Sequence, residues 1–158
     1  MDQRQTQKLC KTIIRAILPQ REGSTRMLRL GQVMLLLKRL TVKADNYYIG
    51  KLDTKQLKSF GVYQLKSERG YNMALGGKET TKTHEKGVSI LVHWNKNAND
   101  TEKVAFDLQE QLSELSGLVI DGIKITTVRL LTNEPVDVGT DTAGVYERVI
   151  DMIVYYEK

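Results

Sequence analysis

From Val145 to Tyr156 the chain runs twelve residues without Gly or Pro and is dense in Val, Ile and Tyr. That is the pattern of one long strand, and a strand of this length needs neighbours on both sides. Alternation puts Tyr146, Ile150, Met152, Val154 and Tyr156 on one face, while Glu147, Asp151 and Glu157 interrupt Val149, Ile153 and Tyr155 on the other. The first face predicts core. The second suits either water or a subunit interface. Just before the strand, residues 133–144 form an acidic stretch punctuated by Pro135, Gly139 and Gly144, which reads as a loop.

The rest of the chain divides by period. Leu9, Ile13, Ile14, Ile17 and Leu18 recur at helical spacing and Pro19 stops them, predicting an amphipathic helix over residues 3–18. Ser24 can cap a second helix over 25–40, apolar around much of its girth and therefore covered on more than one side. From Asn46 the period becomes alternating, with strands over 47–52, 60–65 and 71–75 joined as an antiparallel meander around a turn at 67–70. Residues 76–87 carry polar groups and no apolar anchor, predicting a mobile arm. Val88, Ile90, Val92 and Trp94 then alternate as a strand. Asn99 can cap a helix whose apolar face is Val104, Ala105, Leu108, Leu112 and Leu115, with Glu102, Asp107, Glu110 and Glu114 on the wet side and Gly117 closing it. Residues 123–131 are a β-branched strand. The helix between Trp94 and Ile123 is a crossover, which predicts one parallel pair in an otherwise antiparallel sheet. The expected fold is α+β: one domain over 1–158, a helical segment at 1–40, and at 46–158 a mixed, mostly antiparallel sheet with helices packed on one side.

Composition narrows the function classes. With 158 residues and 41% hydrophobic content the chain can bury a full core. A single cysteine excludes an intrachain disulfide, no uncharged run reaches membrane-spanning length, and the charged start predicts a cytoplasmic protein with no membrane partner. The net charge of +5 is unevenly spread: residues 1–50 hold ten Lys/Arg against three Asp/Glu, and residues 101–158 five against eleven. A basic front and an acidic end imply either nucleic-acid binding or opposite surfaces that meet between copies.

Motifs for chemistry are missing. Two histidines and one cysteine, with no metal-binding spacing, argue by pattern against a zinc site. Gly77-Lys78 lacks the Ser/Thr and first Gly of a phosphate loop, and Cys10 sits beside Leu9 and Ile13 as a small hydrophobe. His93 reads as a half-exposed structural histidine. Glu134, Asp137 and Asp141 offer oxygen ligands for a hard cation, yet their spacing matches no calcium loop, so no cofactor, metal or catalytic residue is expected. Arg148, on the core face between Tyr146 and Ile150, demands a carboxylate, and the acidic loop is the nearest supply in sequence.

Asn133-Glu134-Pro135, Gly139-Thr140-Asp141 and Gly144-Val145-Tyr146-Glu147-Arg148-Val149-Ile150, together with Tyr47-Tyr48-Ile49-Gly50-Lys51-Leu52, Gly76-Gly77-Lys78 and Ser89-Ile90-Leu91-Val92-His93-Trp94-Asn95-Lys96-Asn97, resemble a family of phage minor capsid proteins that act as tail terminators in long-tailed phages. The resemblance covers about residues 47–158. It implies a non-enzymatic virion protein of the tail-neck region, assembled in the host cytoplasm as a ring, expected to be a hexamer. Such a ring would cap the tail-tube protein, stop tube polymerisation and join a head-side connector or stopper protein, with genomic DNA passing through the lumen without sequence-specific binding. The alternative is a DNA-binding module using Lys8, Lys11, Arg15, Arg26, Arg29, Lys38 and Arg39, although these helices lack aromatic interleaving. In the ring reading the uneven charge is an assembly code. Lys78, Lys82 and Lys86, or the second helix, are then expected to approach Glu134, Asp137, Asp141, Glu147 and Asp151 of the next copy, with Arg148 at the same interface.

Overall fold

The computed structural model describes residues 27–66 and 72–157. In chain order they form α1 (Leu30–Arg39), β1 (Asn46–Ile49), β2 (Ser59–Gln64), β3 (Thr83–His93), α2 (Ala98–Ser113), β4 (Leu118–Ile120), β5 (Ile123–Leu130), β6 (Val136–Thr140) and β7 (Tyr146–Glu157). The strands make one sheet in the order β1-β2-β3-β7-β5-β4, with β6 also paired to β7. The architecture is the expected α+β: one domain with a mixed, mostly antiparallel sheet. The helix expected over 3–18 and the Cys10 environment lie outside the described residues.

β7 is central, as its composition requires. β3 pairs with it over eleven positions from Thr83↔Glu157 to His93↔Glu147. On its other edge β5 takes the C-terminal half and β6 the N-terminal half. Ile150, Met152, Val154 and Tyr156 are buried on the predicted face, where Val88, Ile90 and Val92 of β3 and Ile123, Ile125 and Val128 of β5 meet them. The helices complete this layer: Val33 and Leu37 of α1, and Ala105, Leu108 and Leu112 of α2, are buried in the same cluster. Two amphipathic stripes thus cover one sheet face.

α2 leads from β3 into the short β4, which runs opposite to it; β3 and β5, each antiparallel to β7, do run the same way. They are not neighbours, since β7 lies between them. The parallel pair is instead β1 with β2, from Asn46↔Ser59 to Ile49↔Val62, so the expected meander is wrong at its first step. Its third strand is absent as well: Asn72 to Leu75 carry no strand, and Met73 and Leu75 are exposed. Local bonds win there, with Gly77 N–H donating to the Ala74 carbonyl and Ala74 N–H to Thr81 Oγ1. Tyr71 and the turn at 67–70 lie outside the described residues.

Residues 83–87 are also not a loose arm. They belong to β3, where backbone bonds to β7 replace the missing apolar anchor and the buried His84 ring packs at 5.6 Å on Tyr156. At Gly87 the chain passes so close to Leu65 that an added Cβ would lie 2.7 Å from the Leu65 carbonyl oxygen. Gly87→Ala is therefore expected to cost about 1–3 kcal/mol, because backbone cannot step aside as a side chain can. That corresponds to a Tm drop of about 3–10 °C by calorimetry, and an unchanged Tm would show that the Leu65 segment yields freely.

Three boundaries move for identifiable reasons. α1 begins at Leu30 rather than residue 25, opened by Gln32 Oε1 accepting the Arg29 N–H at 2.9 Å. α2 is capped by Asn97 and not Asn99: Asn97 Oδ1 accepts the N–H groups of Asn99 and Asp100. The acidic loop contains β6, fully exposed, which the Pro and Gly punctuation concealed.

Candidate functional site

Of the sequence features that resemble a known family, those at 89–97, 133–135, 139–141 and 144–150 meet where β3 ends, β7 begins and the 133–145 segment folds back, while Gly76-Gly77-Lys78 lies at the other end of the sheet. Asp141 organises the β6–β7 turn. Its Oδ1 accepts the N–H groups of Ala143 and Val145, each at 2.9 Å, while its own N–H donates to the Val145 carbonyl. Asp is suited to this because its short carboxylate can bond its own backbone two and four residues on. With Oδ1 so used, Oδ2 is left 3.0 Å from His93 Nε2.

His93 is 0% exposed, contrary to the half-exposed expectation. The alternation placed it correctly on the face opposite Val92, but that face is covered here by the folded-back turn. Register sets it beside Glu147, whose Oε1 is 3.9 Å from His93 Nε2. The Asp141 carboxyl is held below its usual range, chiefly by the His93 bond and then by the Val145 N–H. Burial pushes Glu147 up, against the pull of His93, with Asp141 adding to the rise.

On the opposite face of the same strand ends, Arg148 reaches two carboxylates. Its Nη2 lies 3.3 Å from Glu102 of α2 and 3.8 Å from Asp137 of β6, and its Nη1 donates weakly to the Pro135 carbonyl at 3.5 Å. The acidic segment does supply a partner, as Arg148 required; Glu102, on the wet side of α2 by its spacing, supplies the nearer one. The side chain of Arg148 is 17% exposed, but those of Glu102 and Asp137 are 44% and 57% exposed, so water still solvates the anions. Arg148→Ala is therefore expected to cost about 1 kcal/mol, in the range of solvent-exposed pairs, with lost packing of its stem included. Urea denaturation checks this against Arg129→Ala, an exposed control; a loss above about 3 kcal/mol is the behaviour of a fully buried pair.

The remaining candidates scatter. Lys78 and Lys82 are in the segment that leads into the start of β3, at the far end of the sheet. Lys86 is inside β3 opposite Val154, on the core side and half-buried, and burial lowers its pKa. Glu134 is exposed before β6, and Asp151 is half-buried in β7 opposite Ser89. Glu134, Asp137 and Asp141 do not form one cluster among the described residues; Asp141 lies with His93 and Glu147 instead. Of the basic residues of the DNA reading, Lys8, Lys11, Arg15 and Arg26 lie outside the described residues. Arg39 Nη1 donates to the Val119 carbonyl and Lys38 Nζ sits 5.3 Å from the Tyr47 ring centre, so both have intramolecular roles. Among the described residues no helix is long and apolar enough to cross a membrane.

Residues 26–158 match the model of a family described as bacteriophage tail terminator protein. The chain belongs to that family. The match spans both helices and every strand of the sheet. Membership makes this a structural protein of the phage tail, a class that works by binding other virion components. No curated protein matches the chain.

Proposed function

We propose that this tail terminator family member closes into a ring, hexameric by its resemblance, that caps the last ring of tail-tube protein and ends tube polymerisation. Its other face joins the head-side connector or stopper, and genomic DNA passes through the lumen without sequence-specific contacts. Assembly takes place in the host cytoplasm and the ring stays in the neck of the virion.

The observation that supports this reading is where opposite charges lie. Lys78 and Lys82 precede Thr83, which pairs with Glu157 at one end of β7; toward the other end Asp141 follows the Thr140↔Tyr146 pair, Asp137 pairs with Arg148, and Glu134 lies two residues before the Val136↔Val149 pair. The ten residue steps of β3 between these ends span about 33 Å. The two groups cannot meet within one chain, and at physiological salt they do not feel each other across it. Between copies they complement each other head to tail, the heterologous contact that closes rings and disfavours face-to-face dimers.

Sedimentation velocity from low to high salt, with circular dichroism to monitor the fold, tests the assembly. Rings should dissociate as ionic strength rises while the fold persists, and negative-stain images with tail-tube protein should show capped tubes. A salt-insensitive monomer that binds duplex DNA, released by salt, overturns the reading.

A further inference from the structure

We infer that His93, Asp141 and Glu147 form a site for one divalent transition-metal ion of the zinc class, which ties the β6–β7 turn to the end of β3. The inference is independent of the ring. Three ligand atoms, His93 Nε2, Asp141 Oδ2 and Glu147 Oε1, lie within 4.8 Å of one another. They come from three separate segments: the last residue of β3, the turn after β6 and the second residue of β7. Each is held from behind, His93 and Glu147 by their ladder positions and Asp141 by the two N–H groups on Oδ1.

The distances suit such an ion. Bonds of about 2.0–2.1 Å in tetrahedral geometry place ligand atoms about 3.3 Å apart. Here the His93 nitrogen is 3.0 Å from Asp141 and 3.9 Å from Glu147, which bracket that value, so side-chain shifts of about an ångström close the triangle. An imidazole with two carboxylates selects zinc or its first-row neighbours over calcium and magnesium, which prefer oxygen alone. Three protein ligands leave a position for water. The side chain of Glu147 is 18% exposed against 0% for His93 and 8% for Asp141, so the way in runs past Glu147.

Charge argues the same way. Two carboxylates this close and this nearly buried call for a cation. With its proton on Nε2, His93 serves Asp141 and leaves Nδ1 buried with no hydrogen-bond partner among the described residues. With the proton on Nδ1, the Nε2 lone pair faces two carboxylates, an arrangement a metal ion relieves. Nδ1 then lacks the outer acceptor that metal-bound histidines normally have, so affinity should fall about 10–100-fold below that of a fully supported site.

The test uses the full chain stripped with EDTA and titrated with zinc chloride by calorimetry, with cobalt chloride for its absorption spectrum. One ion per chain is expected, with a Tm that rises with zinc concentration. Glu147→Gln and Asp141→Asn should each weaken binding at least about tenfold, since each removes one of three ligands; Asn at 141 still offers its oxygen to the turn. The chain has two histidines, so NMR gives a readout without any variant: zinc should shift the ring signals of His93 and leave those of His84 in place. No uptake, or uptake that both variants retain and that leaves His93 unmoved, shows a proton-bridged His93–Asp141 pair only and overturns the site.

Discussion

Glu134→Lys is expected to abolish ring formation while leaving the domain folded, and Lys82→Glu to do the same from the other side. Combining the two should restore rings. Both residues are outside regular strands, so neither change disturbs a ladder, a cap or the core. Asp137 and Asp141 serve this purpose less well, because each accepts a backbone N–H and holds its own turn. Across an interface, facing two like charges costs several kcal/mol where an unlike pair gains little, so reversal acts more strongly than truncation. Even about 1.4 kcal/mol per contact is tenfold in that contact's equilibrium constant, and a closed ring repeats the contact at every subunit. Size-exclusion chromatography with light scattering reads the outcome directly. Rings that survive both single reversals would show that charge on these two ends does not direct assembly.

What could be read from the sequence depended on whether a pattern was local. β7, β5 and the buried stripe of α2 were legible because each carries its own periodicity, 2 for a strand and 3.6 for a helix, and tertiary packing only confirmed it. The parallel pairing of β1 with β2 had no such signature: two short strands say nothing of their relative direction, and the excursion between them hides it. The Met73-Ala74-Leu75 segment misled in the other direction, being apolar without a partner strand. Residues 83–87 were concealed because strand formation there rests on β7, with Lys86 and His84 occupying core-side positions that look polar in the sequence.

The charged end of the sheet shows the same division. Arg148 was identifiable as a cation needing a carboxylate, since its neighbours Tyr146 and Ile150 flank it on a core face. Its nearer partner Glu102 comes from a helix 46 positions away in sequence, and no spacing rule links the two. His93 and Asp141 are similarly distant, and their contact exists only because the turn folds back over the outer face of the strand. A search for spacing along the chain cannot find side chains that a sheet brings together from three segments.

The largest single loss of stability is expected from Phe60→Ala, at about 3–5 kcal/mol. Phe60 is fully buried in β2 opposite Val92, its ring stacked 5.9 Å from Trp94 and edge-on to Tyr47 at 5.8 Å. Deleting the ring removes its transfer free energy and leaves a cavity between two other aromatics, whose geometry adds about 0.5–1.5 kcal/mol per pair. The consequence spreads along a chain of contacts. Tyr47 is the main apolar residue of β1, its hydroxyl accepts the Ala44 N–H at 3.1 Å, and its ring lies under Lys38 of α1. Losing Phe60 therefore loosens the edge strand and the helix above it before it reaches β7. Against a total stability of about 5–15 kcal/mol this leaves a domain folded but marginal. Urea denaturation should show a lower midpoint with an unchanged slope, since the surface exposed on unfolding is the same. Phe60→Leu should recover much of the loss, and Leu75→Ala, at an exposed position, should change stability by less than about 0.5 kcal/mol. A Phe60→Ala loss below about 1 kcal/mol would mean that Tyr47 and Trp94 close over the gap, and that β1 is held by its backbone pairing to β2 instead of by the aromatic cluster.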